Sequence, residues 1–485
     1  MNQKIYAPNI YNFAFQLYQI ANLDPDSIGE NQDFIWETGN QIIHKITQKD
    51  IKLLDQIDVS QSPDDRYVDL LKSSIQNNIN SVWLDFDGKV SLSTTSQKVN
   101  IKGFAYPLKL DDSYILFLNF RRPEEEQDNS GNNQKTDDVD VSLLRSFNPD
   151  NCLIYPEHSL FLGQTLLITG WLTGVKDKKI IQSIADECLK QVFPDNYQLP
   201  TLNHTGELFG SQIFEYGSLS KLHNYQHILI WLFSDTATDE SFNNCYKNLI
   251  NLFLFRTKIV KTYKNSREIH RNLDKIYRTI ETEIRNLPAD RDPKTSIDKY
   301  LTNLQDKLKL FPQLALEYSS LLRDLQETHN TIDINKQNYV NELKKISEKT
   351  KIQNTISDLS FLEKFINNNC DNFSRQIQAD LGYFQNGSEL LDKAINAIRG
   401  IVEIEQAKRD RSLETTVQIL GIGFGGGAIV SGVIVQHIDK INQPIPIISP
   451  NSPPNQFYAS LFLSIIATLG FTLIAMLGIW MSKRK

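Results

Sequence analysis

Two uninterrupted apolar stretches, Val417 to Val435 and Phe457 to Met481, stand near the end of the chain, and neither contains a formally charged side chain. About 20 residues rising 1.5 Å each match a hydrocarbon core roughly 30 Å thick, so each stretch is long enough to cross a bilayer as a helix. Lipid offers the backbone no hydrogen-bond partners, which forces each stretch to satisfy its own amides as a helix. The chain therefore reads as a large water-facing body ending in a two-helix transmembrane hairpin, with the lipid bilayer as its first partner.

Basic residues set the expected orientation. Lys408, Arg409 and Arg411 precede the first span, Lys483, Arg484 and Lys485 follow the second, and the intervening loop has only Lys440. An excess of Lys and Arg marks the cytoplasmic side, so both termini are expected there, at a bacterial inner membrane. The N-terminus, MNQKIYAPNIYNF, has no basic segment followed by an apolar one, and so no export signal is expected. The loop at 436–456 contains Pro444, Pro446, Pro450, Pro453 and Pro454, a composition that favours extended backbone outside the membrane.

At 485 residues and a net charge of -7, the chain is long enough for two or three parts and carries no general attraction for nucleic acid. Cys152, Cys188, Cys245 and Cys370 are too far apart for zinc pairs or a redox CxxC, so reduced structural thiols are expected. His223 and His227 stand four apart without the Glu of a zinc-protease motif, and no GxSxG or GxxxxGK[ST] occurs. No catalytic residue, metal site or cofactor is expected, and the chain reads as a non-enzyme. Gly423 to Ala428 matches GxGxxG/A, but a proline-rich loop and another span follow it instead of a βαβ unit, which removes the dinucleotide reading.

The fold class expected is an α+β cytoplasmic domain with ferredoxin-like layers, then a long-helix bundle or stalk, then the hairpin. Residues 1–120 and 143–235 form two α/β halves around an acidic mobile loop at 121–142. In the first half, Ser81 to Leu92 predicts a hairpin turning at Asp87-Gly88, and Tyr114 to Phe120 predicts a strand. In the second, strands are predicted at Ser159 to Gly174, Leu208 to Phe214 and His227 to Phe233, with a helix at Lys179 to Val192. Strand, helix, strand, strand, helix after the acidic loop is the order expected of a split β-α-β or ferredoxin-like layer, and two such halves, one on each side of the loop, are the arrangement expected.

From 236 to 387 the apolar residues recur at three and four, as in Leu249, Leu252, Phe253, Ile259, Tyr263, Ile276, Ile280 and Ile284, predicting a helical bundle punctuated at Pro288, Pro293 and Pro312. Ser388, after Gly387, is an N-cap candidate for a stalk at 388–416 that continues unbroken into the first span at 417–435. The second span is 457–481 and the tail 482–485. Along the first span and the turn before it, Glu414, Gln418, Gly421, Gly425, Ala428, Gly432 and Val435 fall on one face. Small residues let helices pack closely, with Gly421/Gly425 and Gly423/Gly427 as instances. The same face also suits the lining of a pathway with Glu414 and Gln418 at its cytoplasmic mouth. Both readings remain open.

This order of elements, ending in SKRK, resembles the CorA-like divalent-cation channels, which assemble as pentameric funnels. The resemblance implies a homo-oligomer in which the cytoplasmic body gates the first span. The family's Gly-Met-Asn after the first span is absent, and Gln436-His437-Ile438-Asp439 stands there. The runs LGQTLLITGWL and FGSQIFEY, with the two terminal spans, also resemble prokaryotic conflict-system membrane proteins of the CATRA type. That likeness implies an antiviral effector whose soluble part meets a protease or signalling partner. The function expected is a gated pore, with a cation transporter of altered selectivity and a membrane-anchored scaffold as alternatives.

Overall fold

A computed structural model describes residues 3–18, 32–59, 66–79, 81–91, 98–127, 131–172, 174–175, 177–195, 197–287, 297–352, 357–407, 411–437 and 455–482. The chain divides into two compact units. The first comprises Met1–Ile269 with Leu325–Ala379, and the second His270–Asp324 with Asp380–Lys485.

The first unit is built on one large sheet. Its elements in chain order are β1 (Lys4–Leu17), α1 (Phe34–Thr47), α2 (Leu53–Gln56), β2 (Tyr67–Asp69), α3 (Ser73–Ile79), β3 (Leu84–Ser91), β4 (Lys98–Leu110), β5 (Ser113–Arg121), the small strands β6 (Glu125–Gln127), β7 (Asn133–Lys135) and β8 (Val139–Asp140), β9 (Phe161–Trp171), α4 (Lys178–Val192), β10 (Leu202–Leu208), β11 (Ser211–Tyr216) and β12 (His227–Phe233). The strand order is β10-β11-β12-β9-β1-β5-β4-β2, with β3 also on β4 and β8 on β1. The central strands β1, β5 and β12 are buried at nearly every position because both faces are covered. Ile10, Ala14, Leu118 and Ile230 pack with Trp36 of α1 and Ile184 of α4 on one face. On the other, Phe13 meets Phe253 at 5.1 Å and Tyr11 meets Phe242 at 5.1 Å. Each such side chain, fully buried, contributes about 1.5–3 kcal/mol.

Strands from both sides of the acidic segment share one sheet. β1 pairs antiparallel with β5 of its own half and with β9 of the other, so one sheet crosses the acidic segment. Each half lays its first strand beside its last and runs the remainder as a meander, β1-β5-β4-β3 and β9-β12-β11-β10. A ferredoxin-like layer needs a second helix before its last strand. Among the described residues that place holds only the two-residue turn before β5 and a 3-10 turn at Leu219–Asn224 before β12.

Three local expectations change. Asp87-Gly88 is not a turn: β3 runs through it, paired with Lys102 and Ile101 of β4, because Gly88 lets the Thr47 backbone at the end of α1 come within 3.0 Å of its missing Cβ. The acidic segment contains the β6–β7 hairpin and is fastened to the body, with the Tyr6 hydroxyl donating to the Glu124 carbonyl at 2.8 Å. Leu208 to Phe214 is two strands, β10 and β11, turning at Phe209-Gly210, both with positive φ.

The helices follow the three-and-four pattern: α5 (Thr236–Arg285), α6 (Ile297–Ile352), α7 (Ser360–Lys364), a π turn at Phe365–Cys370, and α8 (Asp371–Ala407). Pro312 lies inside α6, which continues on both sides of it. Pro288 and Pro293 lie outside the described residues.

In the second unit, Tyr277 of α5, Tyr318 of α6 and Phe384 of α8 pack together. Ser388 caps nothing, since α8 runs through Gly387 without a break. Two further helices follow, α9 (Arg411–His437) and α10 (Gln456–Ser482). The single stalk-and-span helix expected from the apolar stripe is not what forms. Arg399 of α8 stands over the Phe424 ring of α9 at 5.8 Å, and Glu403 Oε1 lies 3.7 Å from the Cβ position of Gly421. As the α8 partner moves later, the α9 partner moves earlier, so α9 turns back antiparallel along α8. Periodicity reports which face of a helix is apolar; it does not report a reversal between two helices that share a stripe.

Candidate functional site

Helices α9 and α10 form an antiparallel hairpin. A Cβ at Gly423 or Gly427 would collide with the side chains of Thr472 or Thr468, and one at Gly426 would meet the Phe471 ring at 2.6 Å. Thr468 and Thr472 donate their hydroxyls to the carbonyls of Ser464 and Thr468 at 2.9 and 2.8 Å, so they present small, internally satisfied surfaces. The spans Ile419–Gln436 and Gln456–Leu477 have mean hydropathies of 1.8 and 2.2, and only 11% and 6% of them are buried within the molecule. A core helix of a soluble protein would be covered. These two leave Ile422, Ile429, Val433, Leu469, Leu473 and Ile474 exposed.

The predicted face is split by this packing. Gly425 and Gly432 have nothing within 4 Å of a Cβ position, Gly421 has only Glu403, and Ala428 is exposed. The glycines that touch the neighbouring helix are Gly423, Gly426 and Gly427. The side chains of Glu414, Gln418 and Arg411 lie outside the described residues, as do Lys408, Arg409, Lys483, Arg484 and Lys485.

A second constellation, in the sheet unit, was not anticipated. Glu215 of β11, at 1% side-chain exposure, is ion-paired with Arg256 of α5, at 2%. His204 Nδ1 lies 3.0 Å from Glu215 Oε2, and His227 Nε2 lies 3.6 Å from Oε1. His227 Nδ1 bonds the Thr165 hydroxyl at 2.8 Å, and Arg256 donates to the Tyr225 hydroxyl from Nε at 3.2 Å and Nη2 at 3.0 Å. The guanidinium carbon also stands 4.1 Å from the Phe365 ring centroid.

Burial alone would raise the Glu215 carboxyl, but the Arg256 charge and the two histidines hold it well below the carboxylate range. Burial and the same arginine push His227 down to about 4, so it is neutral at pH 7. One sequence signal was available: Arg256 directly follows Leu252 to Phe255, a charge on a buried apolar run. Its partner, 41 residues earlier on a strand, carries no such mark.

Beside this cluster lies a cavity of about 470 Å³, bordered by Tyr155, His158, Gln164, Tyr225 and Lys261. Burial, and then Lys264, push the Lys261 ammonium below its ordinary value. Among the described residues, no group of three or more His, Cys, Asp or Glu side chains could hold a metal ion.

No protein-family model and no curated protein matches this chain. Among solved structures, the complete structure of the CorA magnesium transporter from Methanocaldococcus jannaschii is similar at 12% identity over 72% of this chain and 95% of that one, with a TM-score of 0.20. A likeness of that size assigns neither fold nor activity.

Proposed function

We propose that this chain is a homo-oligomeric membrane pore, pentameric on the CorA-like reading, in which the cytoplasmic body controls the α9–α10 hairpin and no chemistry is catalysed. One observation carries the reading: two membrane-length helices pack on each other through Gly423 and Gly427 while Gly425, Ala428 and Gly432 stay uncovered. A pore needs both a rigid hairpin and a free, nearly side-chain-free face for neighbouring subunits or solvent.

Insertion also sets a condition on α8. The helix carries Glu389, Lys393, Arg399 and Glu403, which hydrocarbon does not accept. The hairpin therefore leaves α8 and α6 when it enters the bilayer, breaking the contact of Phe424 with Arg399 of α8 and that of Phe457 with Arg323 of α6, whose guanidinium carbon stands 4.3 Å from the ring centroid. With the basic segments at its edges the hairpin keeps both termini cytoplasmic, at the inner membrane. On the conflict-system likeness, release follows a protease or signalling partner acting on the body.

Dye or ion efflux from liposomes containing the purified protein tests this. Leak that appears in some state of the full chain supports the pore; a tight bilayer in every state, including after cleavage at the acidic segment, ends it. The tethered-scaffold reading draws on the Gly423–Thr472 and Gly427–Thr468 packing, which an anchor needs as much as a pore does. The two readings separate at Gly425, as argued in the Discussion.

A further inference from the structure

Helix α9 has three faces, and two of them are occupied. Gly423 and Gly427 meet Thr472 and Thr468 of α10, while Gly421 and Phe424 meet Glu403 and Arg399 of α8. On the third face Ile422, Ile429 and Val433 recur at helical spacing and are 47%, 72% and 54% exposed. On α10, Leu469, Leu473 and Leu477 stand four apart and are open as well. The far end of the hairpin is held by Arg323 of α6, over the Phe457 ring. All of these residues belong to the second unit.

Neither hydrocarbon nor water accepts this arrangement whole. Arg399 and Glu403 touch α9, and Glu389, Asp392 and Lys393 lie earlier on the same helix. A hairpin standing across a bilayer while still attached to α8 would carry those charges into the acyl chains. In water, by contrast, the open faces of two membrane-length helices stay wet. A lipid surface satisfies both: a hairpin in the plane of the headgroups buries its open faces at the acyl boundary, and α8 and α6 keep their charges in water. The sequence next to α9 and α10 adds Lys408, Arg409, Arg411, Lys483, Arg484 and Lys485, a composition that anionic headgroups favour.

We propose that in this conformation the hairpin lies flat on an anionic phospholipid surface, embedded through Ile422, Ile429 and Val433 of α9 and Leu469, Leu473 and Leu477 of α10, and that spanning is a separate, later step. The inference rests on the reading that the hairpin is directed to lipid, and not on its forming a pore. A second copy of this chain is the competing occupant of the same faces. The lengths favour lipid: Ile419–Gln436 and Gln456–Leu477, with mean hydropathies of 1.8 and 2.2, both match a bilayer, a requirement that a protein partner does not impose.

The full chain in vesicles of phosphatidylglycerol and phosphatidylethanolamine tests this with a membrane-impermeant maleimide. Glu157→Cys, at a position 87% exposed, reports the fraction of molecules whose body faces outward. The parent, in which Cys188, Cys245 and Cys370 are buried, gives the background. Ser452→Cys, in the loop between the spans, is expected to label as fully as Glu157→Cys before detergent is added; a spanning hairpin would protect it until lysis. Depth is read from fluorophores on Leu469→Cys and Leu477→Cys, at the centre and towards the end of α10. In a flat hairpin both are quenched alike, and best by lipids carrying a nitroxide near the headgroup. In a spanning one Leu469→Cys is quenched best by a nitroxide deep in the acyl chain. The proposal is overturned if Ser452→Cys is protected, if Leu469→Cys lies deep, or if lipid quenches neither probe, the result for a face covered by a second copy. Efflux from the same vesicles keeps the two readings apart: a leak alongside a protected loop removes this inference and spares the pore, whereas a labelled loop and shallow probes without any leak remove the pore and uphold the inference.

Discussion

The hydroxyl of Tyr318 occupies the space that a Cβ on Gly387 would need, while donating a hydrogen bond of 2.6 Å to the Phe384 carbonyl one turn earlier on the same helix. Tyr277 closes the pocket from the other side, 2.9 Å from that Cβ position. A glycine that reads as a helix stop is thus a point where the Tyr318 side chain of α6 comes close to the α8 backbone. Alanine normally stabilises a helix interior by about 0.5–1 kcal/mol over glycine. Gly387→Ala should instead destabilise by about 1–3 kcal/mol, because two aromatic rings must move. Gly382→Ala and Gly400→Ala, on the same helix with nothing within 4 Å, should be neutral or stabilising. Denaturant melts of the three variants check the sign.

Removing one partner of the Glu215–Arg256 pair leaves the other charged and buried. Arg256→Met should cost about 3–5 kcal/mol, and the double change with Glu215→Leu should recover much of that loss. A double-mutant cycle in urea measures it.

The same cluster makes the sheet unit acid-sensitive. His227 titrates near 4 when folded and near 6.5 when unfolded, so the unfolded chain binds the proton first. The neutral histidine's contribution is complete above pH 6.5 and is lost as pH falls towards 4, by roughly 3 kcal/mol at 1.36 kcal/mol per unit. Glu215, held low, adds a further loss below the ordinary carboxylate range. His227→Gln should flatten the stability curve between pH 6.5 and 4 and leave the steeper loss below it. Melting temperature against pH reads both limbs.

Glycines of α9 should divide by side. Gly427→Leu, driven into Thr468, should abolish hairpin packing and with it protein recovery from membranes. Gly425→Leu points at nothing within 4 Å, so the folded hairpin should persist. If α9 lines a pathway, Gly425→Leu lowers liposome efflux severalfold; unchanged efflux together with an unchanged oligomer favours the tether.

A crosslink tests whether the hairpin must leave α8. Cysteines at Glu403 and Gly421, where the Glu403 carboxylate lies 3.7 Å from the Gly421 Cβ position, should block efflux when joined by a short cleavable bis-thiol crosslinker and restore it on cleavage. Efflux that persists through crosslinking shows that the spans act without leaving α8.

What the chain announces by itself is whatever depends on neighbours a few residues away. The charge-free runs at 417–435 and 457–481 specify helices because lipid-length apolar segments have no other way to satisfy their amides. The apolar strands β5, β9 and β12 and the three-and-four stripe of α5 are legible for the same reason: period and burial are local properties. The pairing of β1 with β9 across the acidic segment, the straight passage of β3 through Asp87-Gly88, and the return of α9 along α8 were settled elsewhere. So was the meeting of Glu215, Arg256 and His227, whose residues come from separate strands and a helix. Each depends on which distant surface arrives at a given residue, as Thr47 does at Gly88 and Tyr318 at Gly387. Contacts between residues remote in sequence form only when loop-closure entropy is offset by packing, and a linear pattern does not encode that balance.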